Sequence, residues 1–127
     1  MSLADKRENP FLEASMSTDK PDVLFARPLY SYPLEEVAGF CKAHKLWEAE
    51  DPDGLLAAIA PTCRAAVTRA VFSKELMDKL PNLGIIAVCG VGYEGVELEA
   101  ARKRDIVVTN TPDVLTEEVA DYGVAML

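Results

Sequence analysis

A single stretch limits the possible folds of this chain more than any other: the apolar run Leu83–Cys89 leads into a glycine-rich turn and then into a helical pattern. Ile85–Val88, within this run, would be apolar on both faces of an extended segment, which is typical of a central parallel strand covered by helices. The turn, Gly90–Gly95, has the spacing Gly-x-Gly-x-x-Gly, and apolar residues recur at helical spacing in Val96–Arg104. The stretch therefore predicts a strand–turn–helix unit of an α/β fold.

Four further strands are predicted along the chain, and each is paired with a segment in which apolar residues recur at helical spacing. Helix starts are marked by Asp51, Ser73 and Thr116, whose side chains can accept a bond from a free backbone N–H, and by Pro33 at a first helical position. This strict alternation predicts a flavodoxin-like parallel sheet of order 2-1-3-4-5 with helices on both faces. The five predicted strands are Asp22–Arg27, Lys45–Ala49, Arg64–Arg69, Leu83–Cys89 and Ile106–Thr109.

The two ends of the chain differ from its middle. Residues 1–20 are polar and lack a sustained period, so we expect a flexible arm in front of a single domain, 21–127. The last predicted helix, 116–127, carries an apolar stripe that runs to its final residue without a C-terminal cap. We expect this helix to continue into a longer protein, and we expect the 127-residue chain to self-associate through the stripe.

Charge and composition exclude several classes of function. The formal net charge of −8 opposes binding to nucleic acids or to anionic membranes, since both require a clustered positive surface. The one basic cluster, Arg102–Arg104, is interpreted as the last turn of a helix, where cations suit the helix dipole. Three cysteines without a Cys-x-x-Cys spacing indicate neither a disulfide framework nor a zinc site, so we expect no metal. No apolar run approaches the roughly 20 residues of a membrane span, and a cytoplasmic location is predicted.

The main candidate site is the glycine turn, because ligands of parallel α/β sheets bind beyond the carboxyl ends of the strands. One interpretation is a dinucleotide fingerprint, which requires an acidic residue about 20 positions later for the ribose hydroxyls. The next strand ends instead in Asn110, and the nearest acid, Asp113, lies beyond Pro112. A second interpretation is that free N–H groups of the turn hold a smaller anion. A third is an ordinary connection between a strand and a helix, which the spacing alone does not separate from the second.

Other candidate residues also have two interpretations. Arg69, at the end of the third strand, could bind a substrate oxygen or form an ordinary surface ion pair, and Arg27 and Tyr30 occupy the equivalent place after the first strand. His44, the single histidine, is interpreted as a solvated residue at a helix end, away from the carboxyl ends of the strands. Cys89 has no nearby histidine to activate it and is interpreted as a small buried residue.

Three motifs, taken together, carry a family resemblance. Val88–Glu97, Ala100–Pro112 and Glu118–Leu127 closely resemble the D-isomer-specific 2-hydroxyacid dehydrogenases, and within that family they are most similar to the glyoxylate and hydroxypyruvate reductases. The resemblance runs from about Asp22 to Leu127 and is strongest from Gly84 onward. It implies the N-terminal part of a substrate-binding, or catalytic, domain, in which the helix 116–127 leads to a Rossmann domain.

The resemblance also implies a function. The intact enzyme would be a homodimer that uses NAD or NADP to reduce a small 2-oxo acid to the D-2-hydroxy acid. The family's nucleotide fingerprint, carboxylate-binding arginine, glutamate and acid–base histidine would all lie beyond Leu127. No catalytic residue is therefore expected in this chain, which by itself should be inactive.

Substrate-binding residues follow from the same resemblance. The N–H groups of Val91 and Gly92 would hold the substrate carboxylate, while Gly90 and Gly92 would be small because ligand and backbone approach closely. The resemblance also places Thr116 near the nicotinamide, whereas Arg69 is a substrate-binding candidate by its position alone. The alternative is a stand-alone flavodoxin-like module that binds another anion through the turn, or a protein through its last helix.

Overall fold

The computed structural model describes residues 20–29, 36–112 and 116–126. Its five strands form one parallel sheet of order β2-β1-β3-β4-β5, as predicted. The predicted arm, apart from Lys20, and the predicted residues Tyr30 and Pro33 lie outside the described residues. The strands are β1, Asp22–Phe25; β2, Lys42–Lys45; β3, Ala65–Thr68; β4, Ile85–Val88; and β5, Val107–Thr109. The helices are α1, Pro52–Ile59; α2, Lys74–Asp78; α3, Leu98–Lys103; and α4, Thr116–Ala125, with a 3₁₀ turn at Leu46–Glu48 and helical residues at 36–38.

Two of the predicted helix caps are present. The N–H of Gly54 donates to Oδ1 of Asp51 at 3.0 Å, and the N–H of Leu76 donates to Oγ of Ser73 at 3.3 Å. Each bond satisfies one of the backbone donors that the first turn of a helix leaves without a partner. The third predicted cap, Thr116, is itself the first residue of α4, and its side chain lies outside the described residues.

The second strand is the largest difference from the prediction. The prediction of Lys45–Ala49 was wrong: β2 is Lys42–Lys45, and the apolar residues that suggested a strand form the 3₁₀ turn instead. Among the described strands, β2 pairs only with β1 and is an edge strand of the sheet, and its sequence is polar. Hydrophobic periodicity therefore gave no signal for it.

This shift of the strand also corrects the interpretation of His44. His44 lies inside β2, opposite Leu24 of β1, and is partly buried rather than at a solvated helix end. Its Nε2 is 2.6 Å from Oδ1 of Asp22. His44 is thus a structural partner of the first strand, and it does not line the cleft described below.

The Asp22 carboxylate predicts a pH-dependent contribution to stability. Hydrogen bonds from the Thr62 and His44 side chains lower the pKa of Asp22 below its ordinary value of 3.8. A lowered pKa in the folded state stabilises the protein above pH 3.8, and this stabilisation is lost as the pH falls through the lower value. We expect Asp22→Asn to reduce the free energy of unfolding by about 1 kcal/mol at neutral pH, and by much less at about pH 2.

Urea unfolding at both pH values measures this difference, with Glu50→Gln as the control because Glu50 is an exposed carboxylate. An equal loss of stability at both pH values would show that the Asp22 side chain acts through its shape and not through its charge.

The main core lies on one face of the sheet. Leu24, Ala66 and Ile86 form one row across β1, β3 and β4, and each is at most 1% exposed. Helices α1, α2 and α3 cover this row with Leu56, Ile59, Met77 and Ala101. Side chains on the other face of the sheet are more exposed: Ile85 of β4 is 38% and its partner Val107 of β5 is 56% exposed. The central strand β4 is therefore buried alternately, and not evenly on both faces as its apolar sequence suggested.

The described side chains of the last helix face outward. Val124, which belongs to the predicted apolar stripe, is 71% exposed, so this part of the stripe is available at the surface, and the nearby Met126 is equally exposed. Self-association through it stays a prediction. None of the helices in the described ranges is long and apolar enough to cross a membrane.

Candidate functional site

A cleft of about 730 Å³ lies beyond the carboxyl ends of β1, β3 and β4. Its walls are formed by Arg27 and Pro28 after β1, by Arg69–Val71 after β3, and by most of the glycine turn after β4. The structure thus brings the predicted residues Arg69, Gly90, Val91 and Gly92 to one cavity. Parallel strands make this possible because their carboxyl ends all meet at the same edge of the sheet.

Two carbonyl groups of the glycine turn are bonded to the end of β5. The N–H of Thr111 donates to the Gly90 carbonyl at 2.9 Å, and the side-chain amide of Asn110 donates to the Val91 carbonyl at 2.7 Å. These contacts link segments about 20 residues apart and hold two consecutive peptide units of the turn in place. The sequence did not predict this role of Asn110 in holding the Val91 carbonyl.

These two bonds also set the direction of two N–H groups. In a trans peptide the C=O and the N–H point in opposite directions, and the described residues contain no cis peptide. Because the Gly90 and Val91 carbonyls face the end of β5, the N–H groups of Val91 and Gly92 point away from it. Neither N–H has an acceptor among the described residues. The turn therefore presents two adjacent free donors, which is the arrangement that a small anion requires.

The glycines of the turn are required for space and not for an unusual backbone angle, since none has a positive φ. A Cβ on Gly95 would lie 2.4 Å from the carbonyl oxygen of Ala70, and one on Gly90 would lie 3.2 Å from that of Arg69. A Cβ on Gly92 would meet only the flexible carboxylate of Glu94, at 2.5 Å. Gly90 and Gly95 are thus small because the turn packs on the loop after β3, while only Gly92 leaves its free side to a ligand.

The turn is also fixed at its far end. The N–H of Phe72 donates to the Gly95 carbonyl at 3.1 Å, and the N–H of Glu97 donates to the Phe72 carbonyl at 3.2 Å. Phe72 itself is fully buried. The turn is therefore held by backbone bonds to both neighbouring loops, and its donors need little reorganisation to bind an anion.

Cys89 differs from its interpretation as a buried residue, because it is exposed and lines the cleft. It stands one position past the end of β4, and the residue is exposed although its N–H still donates to the Thr68 carbonyl. Partial desolvation raises the pKa of the Cys89 thiol, so the group is protonated at neutral pH and is a poor nucleophile. Across the described ranges, no group of three or more His, Cys, Asp or Glu side chains could hold a metal ion.

The residues at this turn do not fit a dinucleotide. The position after β5, where the fingerprint requires an acidic side chain, is Asn110, and its amide is bonded to Val91. The free space at Gly92 is next to the Glu94 carboxylate, which would repel the two charges of a pyrophosphate more strongly than the single charge of a small carboxylate. A single small carboxylate fits the two donors better.

The chain is similar to known proteins over most of its length. Residues 23–125 match a family model described as the catalytic domain of D-isomer specific 2-hydroxyacid dehydrogenases. The chain is 37% identical over 112 residues to a 2-ketogluconate reductase of Gluconobacter oxydans, covering 87% of this chain and 35% of that protein. It thus spans about a third of the length of the curated relatives that it matches.

Solved structures give the same result. A 2-hydroxyacid dehydrogenase from Ketogulonicigenium vulgare Y25 is 44% identical with a TM-score of 0.82, covering 86% of this chain and 35% of that one. An NADPH-dependent glyoxylate/hydroxypyruvate reductase from Sinorhizobium meliloti, in complex with NADP and malonate, is 36% identical with a TM-score of 0.73, covering 85% and 33%. By sequence and by fold, the chain belongs to the D-isomer specific 2-hydroxyacid dehydrogenase family.

Proposed function

We propose that this chain supplies the substrate-carboxylate site of an NAD(P)-dependent 2-hydroxyacid dehydrogenase that reduces a small 2-oxo acid, such as glyoxylate or hydroxypyruvate, to the D-2-hydroxy acid. The observation that carries the proposal is the pair of free N–H groups on Val91 and Gly92, held in one direction by bonds from Asn110 and Thr111. The names of the relatives support the substrate class, since they include glyoxylate and hydroxyphenylpyruvate reductases.

The substrate carboxylate would accept hydrogen bonds from both N–H groups, with the Arg69 guanidinium at the adjacent strand end to balance its charge. Such a local site suits this chain because a net charge of −8 cannot attract an anion from a distance. Fixed donors on a bonded turn also hold the 2-oxo carbon in one place, which is the orientation that hydride transfer requires.

The bound nicotinamide would supply the hydride, and the chain described here would contribute binding and orientation. The dinucleotide does not fit the glycine turn, and no side chain of the cleft is proposed as the acid–base catalyst. We therefore expect neither hydride transfer nor appreciable NADH binding by the 127-residue chain.

Amide NMR of the labelled chain tests the carboxylate site. Titration with glyoxylate is expected to shift the Val91 and Gly92 amide signals, and Gly92→Ala should weaken binding about tenfold through the loss of close backbone approach. The variant should remain folded, because its new methyl group meets only the flexible Glu94 side chain. Gly123→Ala is the control, since a Cβ there has no neighbour within 4 Å.

Two results would contradict the proposal. One is a titration in which the Val91 and Gly92 signals do not move, or move equally in the Gly92→Ala variant. The other is a micromolar dissociation constant for NADH, which would restore the dinucleotide interpretation of the turn.

A further inference from the structure

We propose that the cleft accepts 2-oxo acids that carry a second carboxylate, and that Arg27 binds this second group at the end of the cleft opposite the glycine turn. The inference rests on the proposed carboxylate site at Val91 and Gly92 and extends it to the part of the cleft that a small acid such as glyoxylate would leave empty.

Strand register places Arg27 beside Arg69. Phe25 of β1 pairs with Val67 of β3, and Val67 pairs with Ala87 of β4. The ladder continues past the strand ends, because the N–H of Ala26 donates to the Val67 carbonyl and the N–H of Cys89 donates to the Thr68 carbonyl. Arg27, Arg69 and Cys89 each follow one of these three paired residues by two positions. They therefore come side by side, and all three line the cleft.

The spacing of strands gives the size of the ligand. Neighbouring strands lie about 4.8 Å apart, so the backbone of Arg27 is about 10 Å from that of Cys89, where the glycine turn begins. A ligand with one carboxylate on the turn can place a second carboxylate within reach of the Arg27 side chain. About three to five bonded atoms of the ligand would then separate the two carboxylates. Arg69 lies between them, in position for the 2-oxo acid end.

The charges of the cleft also favour a second anionic group. Two arginines in one cavity repel each other, and the only acidic one among the described residues that line it is Glu94, which lies next to Gly92 at the other end. Within the part of the chain that the structure describes, Arg27 forms no hydrogen bond or ion pair. The exposed Arg27 guanidinium therefore has no partner within the described residues, and its planar donor face is available for a carboxylate.

A matched pair of ligands tests the inference on the 127-residue chain. 2-Oxoglutarate and 2-oxopentanoate have the same carbon skeleton and differ only in a terminal carboxylate in place of a methyl group. By amide NMR titration, we expect 2-oxoglutarate to bind about fivefold more tightly. Arg27→Gln should abolish this difference and leave the affinity for 2-oxopentanoate unchanged.

Arg64→Gln is the matched control, because it also removes one positive charge from an exposed residue. Arg64 precedes β3, so it lies at the end of the strand away from the cleft. It should retain the fivefold preference. Arg27 is itself exposed, so its variant is expected to give the dispersed amide spectrum of the folded parent.

The outcomes separate this inference from the function on which it rests. If 2-oxopentanoate shifts the Val91 and Gly92 signals but 2-oxoglutarate binds no more tightly, the role of Arg27 is wrong and the carboxylate site stands. The same holds if Arg27→Gln retains the preference or if Arg64→Gln also abolishes it. If 2-oxopentanoate shifts neither signal, the carboxylate site is wrong and this inference is wrong with it.

Discussion

Replacing Gly95 with alanine is expected to lower the free energy of unfolding by about 3 kcal/mol. The added Cβ would lie 2.4 Å from the carbonyl oxygen and 3.0 Å from the carbonyl carbon of Ala70, and 3.1 Å from Cγ2 of Val71. The first two atoms are backbone, so no rotamer change can relieve the overlap. The turn and the loop after β3 would have to separate, which would also break the bond between the Phe72 N–H and the Gly95 carbonyl.

Urea unfolding followed by circular dichroism measures this loss. The matched control is Gly123→Ala in α4, where a Cβ meets nothing and the substitution is expected to stabilise the helix by up to about 1 kcal/mol. A Gly95→Ala variant as stable as its parent would show that the two loops do not pack as the structure describes. Gly92→Ala, whose Cβ meets only a side chain, separates an effect on binding from this effect on folding.

Replacing Arg104 with methionine is expected to cost about 2 kcal/mol of stability. The Arg104 guanidinium follows α3 and donates to two backbone carbonyls at the end of α2, those of Met77 and, at 2.8 Å, Leu80. It therefore joins two helices of the core through charge-assisted bonds, which are about twice as strong as neutral ones. Methionine keeps the apolar part of the side chain and removes only the donors.

Arg102→Met provides the comparison, since Arg102 lies in the last turn of α3 and is exposed. Arg102→Met should change the free energy of unfolding by less than about 0.5 kcal/mol, because only the interaction of the Arg102 charge with the helix dipole is lost. Equal effects of the two substitutions would show that Arg104, too, acts only as a cation near a helix end, as the sequence suggested.

The parts of the fold that were predicted correctly depend on local patterns. Asp51 and Ser73 mark helix starts because a side-chain oxygen three residues before a free N–H can bond it whatever the rest of the chain does. The part predicted wrongly, β2, depends on a partner far away in the sequence. Lys42–Lys45 is extended because it pairs with β1, and its polar residues carry no periodic signal of their own.

Some features of the candidate site likewise follow from local sequence patterns, and others depend on contacts between distant segments. From the sequence by itself, the strict alternation of strands and helices predicted the order of the sheet. The sequence also determined the position of the glycine turn at the carboxyl end of β4 and the lack of an acid at position 110, because spacing and residue type are local properties. Only the tertiary structure decided that Asn110 and Thr111 hold the Gly90 and Val91 carbonyls, which turns two N–H groups the other way. It also decided that Arg27 comes beside Arg69, because strand register is set by pairing between distant segments and cannot be read from either segment alone.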